Sequence, residues 1–121
     1  MKPLNILLVE DDGLIAMLLT QMLEDRGHSI CASAATEAEA IEAALAHKPE
    51  LIISDSRLRV GDGVAAITEI LRHQTVPYIF VSGDSAAILA RFPQAIVLRK
   101  PFREEALVKA IAKVMAAAEL T

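Results

Sequence analysis

Four places in this 121-residue sequence put polar groups directly after mostly apolar runs. Glu10 and Asp11 follow Leu4–Val9, Asp55 closes Leu51-Ile52-Ile53-Ser54, Ser82 follows Val76–Val81, and Lys100 follows Ala95–Arg99. Three carboxylates brought together repel and raise one another's pKa unless a cation joins them. A small set of hard oxygen ligands with room for water suits Mg²⁺. An ammonium and a hydroxyl facing that cluster supply a point charge and a hydrogen-bond donor, which is what a phosphoryl group needs. A carboxylate can itself be the nucleophile, forming an aspartyl-phosphate.

These groups meet only if the apolar runs are parallel strands with their carboxyl ends at one edge, where open α/β sheets bind ligands. The run before Asp55 has no polar alternation, as expected of a strand buried on both faces. Pro49 ends the preceding element, and Gly61-Asp62-Gly63 marks a loop after Asp55. The first strand is read as Leu4–Val9 and a shorter second one as Ser29–Ala32, with strands three to five ending at Asp55, Val81 and Arg99. Between them, Leu14, Ile15, Leu18, Leu19, Met22 and Leu23 repeat at helical spacing behind an Asp12 cap, and Gly27 closes the segment. Thr36-Glu37-Ala38-Glu39 has the form of a capping box, opening a helix that buries Ala40, Ile41, Ala44 and Leu45. Further helices are read over Val64–His73, burying Ile67, Ile70 and Leu71, and over Ser85–Arg91. A last one, with Glu104 and Glu105 in its first turn, uses Leu107, Val108, Ile111, Val114 and Met115. Strands alternating with helices imply a doubly wound five-stranded parallel sheet, one domain over residues 1–121.

Composition narrows the function classes. Hydrophobic residues make up 54%, which excludes a disordered chain, and aromatics at 3% with no Trp argue against base stacking or an aromatic cage. A net charge of −4 without a Lys/Arg run gives no nucleic-acid footprint. No stretch approaches the ~20 apolar residues of a membrane span, and the single Cys31 allows no intrachain disulfide; both suit a cytoplasmic protein. Met17, Met22 and Met115 are read as core fillers. His28, His47 and His73 are read as solvated.

Leu7-Leu8-Val9-Glu10-Asp11-Asp12, Ser54-Asp55, Gly61-Asp62-Gly63, Val81-Ser82-Gly83 and Lys100-Pro101-Phe102, in this order, resemble the receiver domain of a bacterial two-component response regulator. The resemblance covers essentially the whole chain and implies a flavodoxin-like (βα)5 fold with strand order 2-1-3-4-5. It also implies roles. Asp55 is the phosphoacceptor, served by a histidine kinase or histidine phosphotransfer protein. Glu10, Asp11, Asp55 and the backbone carbonyl of Arg57 hold Mg²⁺. Ser82 is the switch hydroxyl and Lys100 binds the phosphoryl group, ahead of a Lys100-Pro101 bond that is typically cis.

Three departures stand out. The family's aromatic residue three places before the lysine is Val97 here. The stretch from Ser82 to Lys100 is short by about one helical turn, on the family's usual output side. Arg57 and Asp84 occupy positions that modulate phosphoryl lifetime in the family, and the two are read as a pair across the site.

The leading reading is thus a stand-alone signalling receiver, not an enzyme beyond its own phosphorylation and dephosphorylation. Its output is contact with an unidentified downstream protein or service as a phosphate sink. A homodimer around the fifth strand is left open. A dehalogenase-type phosphatase would need an acid where Arg57 stands, and a flavodoxin-like cofactor binder would meet repulsion from Glu10-Asp11-Asp12. The remaining alternative is a receiver-like interaction module that works without phosphorylation.

Overall fold

Strands and helices alternate along the chain as β1 (Asn5–Val9), α1 (Gly13–Asp25), β2 (Ser29–Ala34), α2 (Glu37–His47), β3 (Leu51–Asp55), α3 (Gly63–Leu71), β4 (Tyr78–Ser82), α4 (Ser85–Arg91), β5 (Ile96–Arg99) and α5 (Glu104–Glu119). The structure, a computed structural model, describes residues 2–120. Met1 and Thr121, the ends of the span read as one domain, lie outside the described residues. All strand pairs are parallel, in the order β2-β1-β3-β4-β5, which is the order that the resemblance implies.

Successive side chains of a strand point to opposite faces, so the apolar runs split into two cores. Ile6, Leu8, Ile53 and Val81 pack against Leu19 and Leu23 of α1 and Leu107 and Ile111 of α5. Leu7, Val9, Ile52 and Phe80 pack on the other side against Ala40 and Ala44 of α2, Ile67 and Ile70 of α3, and Ile88 of α4. Because both faces are covered, β1, β3 and β4 show no polar alternation.

Local chemistry sets the helix ends. Asp12 Oδ1 accepts from the Leu14 and Ile15 amides, and Asp62 Oδ1 accepts from Val64 and Ala65. Thr36 Oγ1 accepts from the Glu39 amide, while Glu39 Oε1 reaches back to the Ala35 amide, one residue beyond the usual target of a capping box. At the end of α1, Gly27 takes φ +90°, and the Gly27 and His28 amides close on Glu24 and Leu23 carbonyls.

Several expectations need correction. β2 runs two residues past Ala32, because its pairing with β1 shifts register between Ile6 and Leu7 and continues to Val9↔Ala34. α3 ends at Leu71, where Arg72 caps it, rather than at His73. Met17 is not a core filler: it is 64% exposed, beside Leu14 and Leu18 on the same outward face. The apolar stripe of α1 is simply wider than the arc that a sheet can cover. Leu45 of α2 is exposed for the same reason. His28 is not solvated either: it is buried, its Nδ1 accepting the Leu4 amide at 3.0 Å. Burial there pushes its pKa down from the ordinary value.

Candidate functional site

The carboxyl ends of β1, β3, β4 and β5 deliver Glu10, Asp11, Asp55, Ser82 and Lys100 to one edge, as their spacing requires. The strand ladder continues into the polar residues and fixes their directions: Glu10 N donates to Ala34 O, Ser56 N to Val81 O, and Lys100 N to Ser82 O. Asp55, Ser56, Arg57, Ser82, Gly83, Asp84 and Lys100 line an open cleft of about 390 Å³.

At this edge the Lys100 ammonium meets the carboxylates from within, while the exposed Arg59 guanidinium reaches only Asp11, at 3.9 Å from Oδ2. Lys100 Nζ lies 2.7 Å from Asp55 Oδ2 and 3.9 Å from Glu10 Oε1. Carboxylate oxygens of Glu10, Asp11 and Asp55 all lie within 4.8 Å of one another. At about 4 Å and an effective dielectric of about 20, each like pair repels by about 4 kcal/mol, and three carboxylates beside one ammonium leave the cluster with a net negative charge. Glu10 is only 4% exposed, and burial, joined by the Asp55 and Asp11 charges, raises its pKa despite the Asp12 amide on Oε2. Partial burial works against the charge on Lys100, but the hydrogen bond and the attraction of Asp55, helped by Glu10 and Asp11, outweigh it and hold the ammonium above its usual range. A cluster of this composition fits a hard divalent cation, with oxygen donors only.

The loop after β3 is shaped to this cluster. Gly63 runs so close beneath Asp55 that a Cβ there would overlap the Asp55 carbonyl oxygen. Its amide donates to Ser56 O, and Arg57 bridges Asp62 as an isolated antiparallel pair, so residues 56–63 form a small hairpin. Arg57 N–H points at Asp55 Oδ1 from 3.5 Å, and Arg59 N–H donates to Asp11 Oδ2 at 2.6 Å. Glu37, 25 residues from Asp62 in sequence, accepts the Asp62 amide on Oε1 at 2.9 Å. The capping pattern assigns roles to Thr36 and Glu39 and none to Glu37; its hold on this loop is a tertiary contact without a sequence signal.

The other predicted site residues take less expected places. Ser82 is buried, its Oγ accepting the Asp84 amide at 3.0 Å. The Asp84 carboxylate caps α4 through the Ala87 amide, and the Arg57 guanidinium is exposed. Neither forms an ion pair among the described residues, so the expected Arg57–Asp84 pair is absent. An Asp at that position satisfies the orphan amides of a short helix before it can reach across the cleft. Val97 lies opposite Phe80 in the sheet and joins the core that holds Tyr78 and Phe92, whose rings pack on Phe80 at 5.4 and 5.6 Å. The Lys100-Pro101 bond is cis.

Residues 6–112 match the response regulator receiver domain family. PdtaR, a transcriptional regulatory protein of Mycobacterium tuberculosis, is 36% identical over 113 residues, covering 90% of this chain and 55% of that protein. The phyllosphere-induced regulator PhyR of Methylorubrum extorquens is 36% identical over 103 residues, covering 82% of this chain and 39% of its own. The chain therefore spans about half, or less, of the length of these curated relatives. The solution structure of the PhyR response regulator REC domain from Erythrobacter litoralis superposes with a TM-score of 0.86 at 31% identity, over 95% of this chain and 92% of that one.

Proposed function

The chain belongs to the response regulator receiver domain family of two-component signalling, and from that premise we propose that Asp55 is its phosphoacceptor. The observation that carries the proposal is the Lys100–Asp55 contact inside a cluster with surplus carboxylate charge. Lys100 occupies Oδ2 and leaves Oδ1, which among the described residues has only the long Arg57 N–H contact, to attack phosphorus. As the new O–P bond forms, the bond from phosphorus to the donor breaks and its electron pair leaves with the donor, a histidine nitrogen in a kinase or phosphotransfer protein. Lys100 then pairs with a phosphoryl oxygen. Ser82, whose Oγ accepts the Asp84 amide, retains its hydroxyl proton to donate to another.

Glu10, Asp11, Asp55 and the Arg57 carbonyl would hold Mg²⁺. When bound, it supplies positive charge against the incoming phosphoryl oxygens. Leu14, Met17 and Leu18 form an exposed apolar face on α1, which begins just after Glu10-Asp11, and this supports docking of a donor protein beside the cleft. Among the described residues, no helix is long and apolar enough to cross a membrane. The phosphorylated state then changes contacts with a downstream protein, or the chain drains phosphate from another acceptor.

The test is incubation with acetyl phosphate, with Mg²⁺ or with chelator, followed by intact mass. A gain of one phosphoryl group that chelator abolishes and Lys100→Ala slows at least ~10-fold is the expected result. No labelling with Mg²⁺ would overturn the proposal in favour of a phosphorylation-independent interaction module, and equal labelling with chelator would overturn the role given to Mg²⁺.

A further inference from the structure

We propose that Glu37 is a positioning residue for the Asp55 site, acting through the hairpin between β3 and α3; this rests on the phosphoacceptor function proposed for Asp55. Glu37 is the first residue of α2, on a different element from every group that lines the cleft. Its amide, which a helix start leaves without an intrahelical acceptor, donates to Val60 O at 3.2 Å. Its carboxylate accepts the Asp62 amide at 2.9 Å. Between these two bonds Gly61, at φ +85°, lies so close that a Cβ there would overlap the Glu37 Cβ. Three successive residues of the hairpin are thus held by one glutamate.

An acid in a first helical turn needs no explanation beyond the helix dipole, and Glu39 supplies one already. What sets Glu37 apart is that its carboxylate serves an amide of another element rather than its own helix. Asp62 pairs with Arg57 across the hairpin, so fixing Asp62 fixes Arg57, whose amide points at Asp55 and whose carbonyl is assigned to the cation. The far side of the hairpin is tied to Asp11 through the Arg59 amide. The loop is strung between α2 and the acidic cluster, and Glu37 holds the α2 end. A change at the start of α2 is therefore transmitted to the phosphorylation site, and the reverse.

Three variants separate this role from helix stability. Glu37→Gln keeps an acceptor oxygen at the same reach, Glu37→Asp keeps the charge but shortens the arm, and Glu37→Ala removes both. The first readout is amide exchange in the metal-free protein. Exchange at Asp62 and Arg57 should accelerate about five-fold or more in the Ala and Asp variants, the change expected for one lost hydrogen bond, and stay close to wild type in Glu37→Gln. The second readout is the Mg²⁺ concentration that half-saturates labelling by acetyl phosphate. It should rise by a similar factor in Ala and Asp, with a smaller change in the rate at saturating Mg²⁺. The inference is overturned if wild type labels and Glu37→Ala matches it in both readouts, or if Glu37→Gln is impaired as much as Glu37→Asp. Wild type failing to label at all would instead sink the function on which the inference rests.

Discussion

Both ends of the sheet bury polar side chains, and they handle them in opposite ways. At the amino end, His28 is buried neutral and accepts the Leu4 amide, while the Ser29 amide returns a bond to Leu4 O. These polar groups find their partners inside the protein. At the carboxyl end, Glu10, Asp11 and Asp55 crowd together against one partly buried ammonium, with only the exposed Arg59 guanidinium added at Asp11. The first arrangement stabilises the fold. The second costs stability, and on the proposed function it makes the site, because charge left uncompensated by the protein would be available to a cation and a phosphoryl group.

Substitutions can break or sharpen this contrast. The largest effect is expected at Gly63, where α3 passes directly beneath Asp55. Gly63→Ala should destabilise by about 3 kcal/mol or more, since backbone rather than a flexible side chain is in the way. Urea unfolding would measure it. At the other end, His28→Ala should cost about 1–3 kcal/mol by leaving a buried amide without an acceptor.

His28 also sets a pH dependence. Its folded pKa lies below the ordinary 6.5, so the stabilisation is complete above that value. It is lost as pH falls through the lowered value, because the unfolded chain takes up the proton first. Wild type should therefore weaken on acidification from pH 6.5 relative to His28→Asn, as read from paired melts.

Glu10→Gln should go the other way. In chelator at pH 7 it should stabilise by about 1 kcal/mol, because one buried like charge is removed. The same variant should bind Mg²⁺ more weakly, a pairing of opposite effects that no purely structural residue shows. The smallest effect belongs to Met17→Gln. Stability should change by no more than about 0.5 kcal/mol, while transfer from a cognate donor protein, but not from acetyl phosphate, should slow.

How much of this was legible in the sequence divides along the same line. The strand ends could be read because an apolar run buried on both faces has a plain signature, and the charged group that stops it marks the site. α4 matched the reading of Ser85–Arg91, since Asp84 caps it and Pro93 bars its continuation. What failed was side-chain direction. Periodicity marks six apolar positions in α1 without telling which arc meets the sheet: two of them, Leu14 and Leu18, face outward, and so does Met17, which its apolar character alone places inward. His28 reads as solvated because nothing local announces the Leu4 amide as its partner. The pairing of Arg57 with Asp84 ignored a nearer claim on Asp84, the first turn of its own helix. Glu37 was not legible: the capping pair Thr36 and Glu39 around it was visible, and its own hold on a loop in another part of the chain was not.

The most direct test of the central claim treats wild type and Asp55→Asn with acetyl phosphate and Mg²⁺ and weighs both intact. One phosphoryl group on wild type and none on Asp55→Asn is the predicted result. Equal labelling of the two, or labelling of neither, would contradict it.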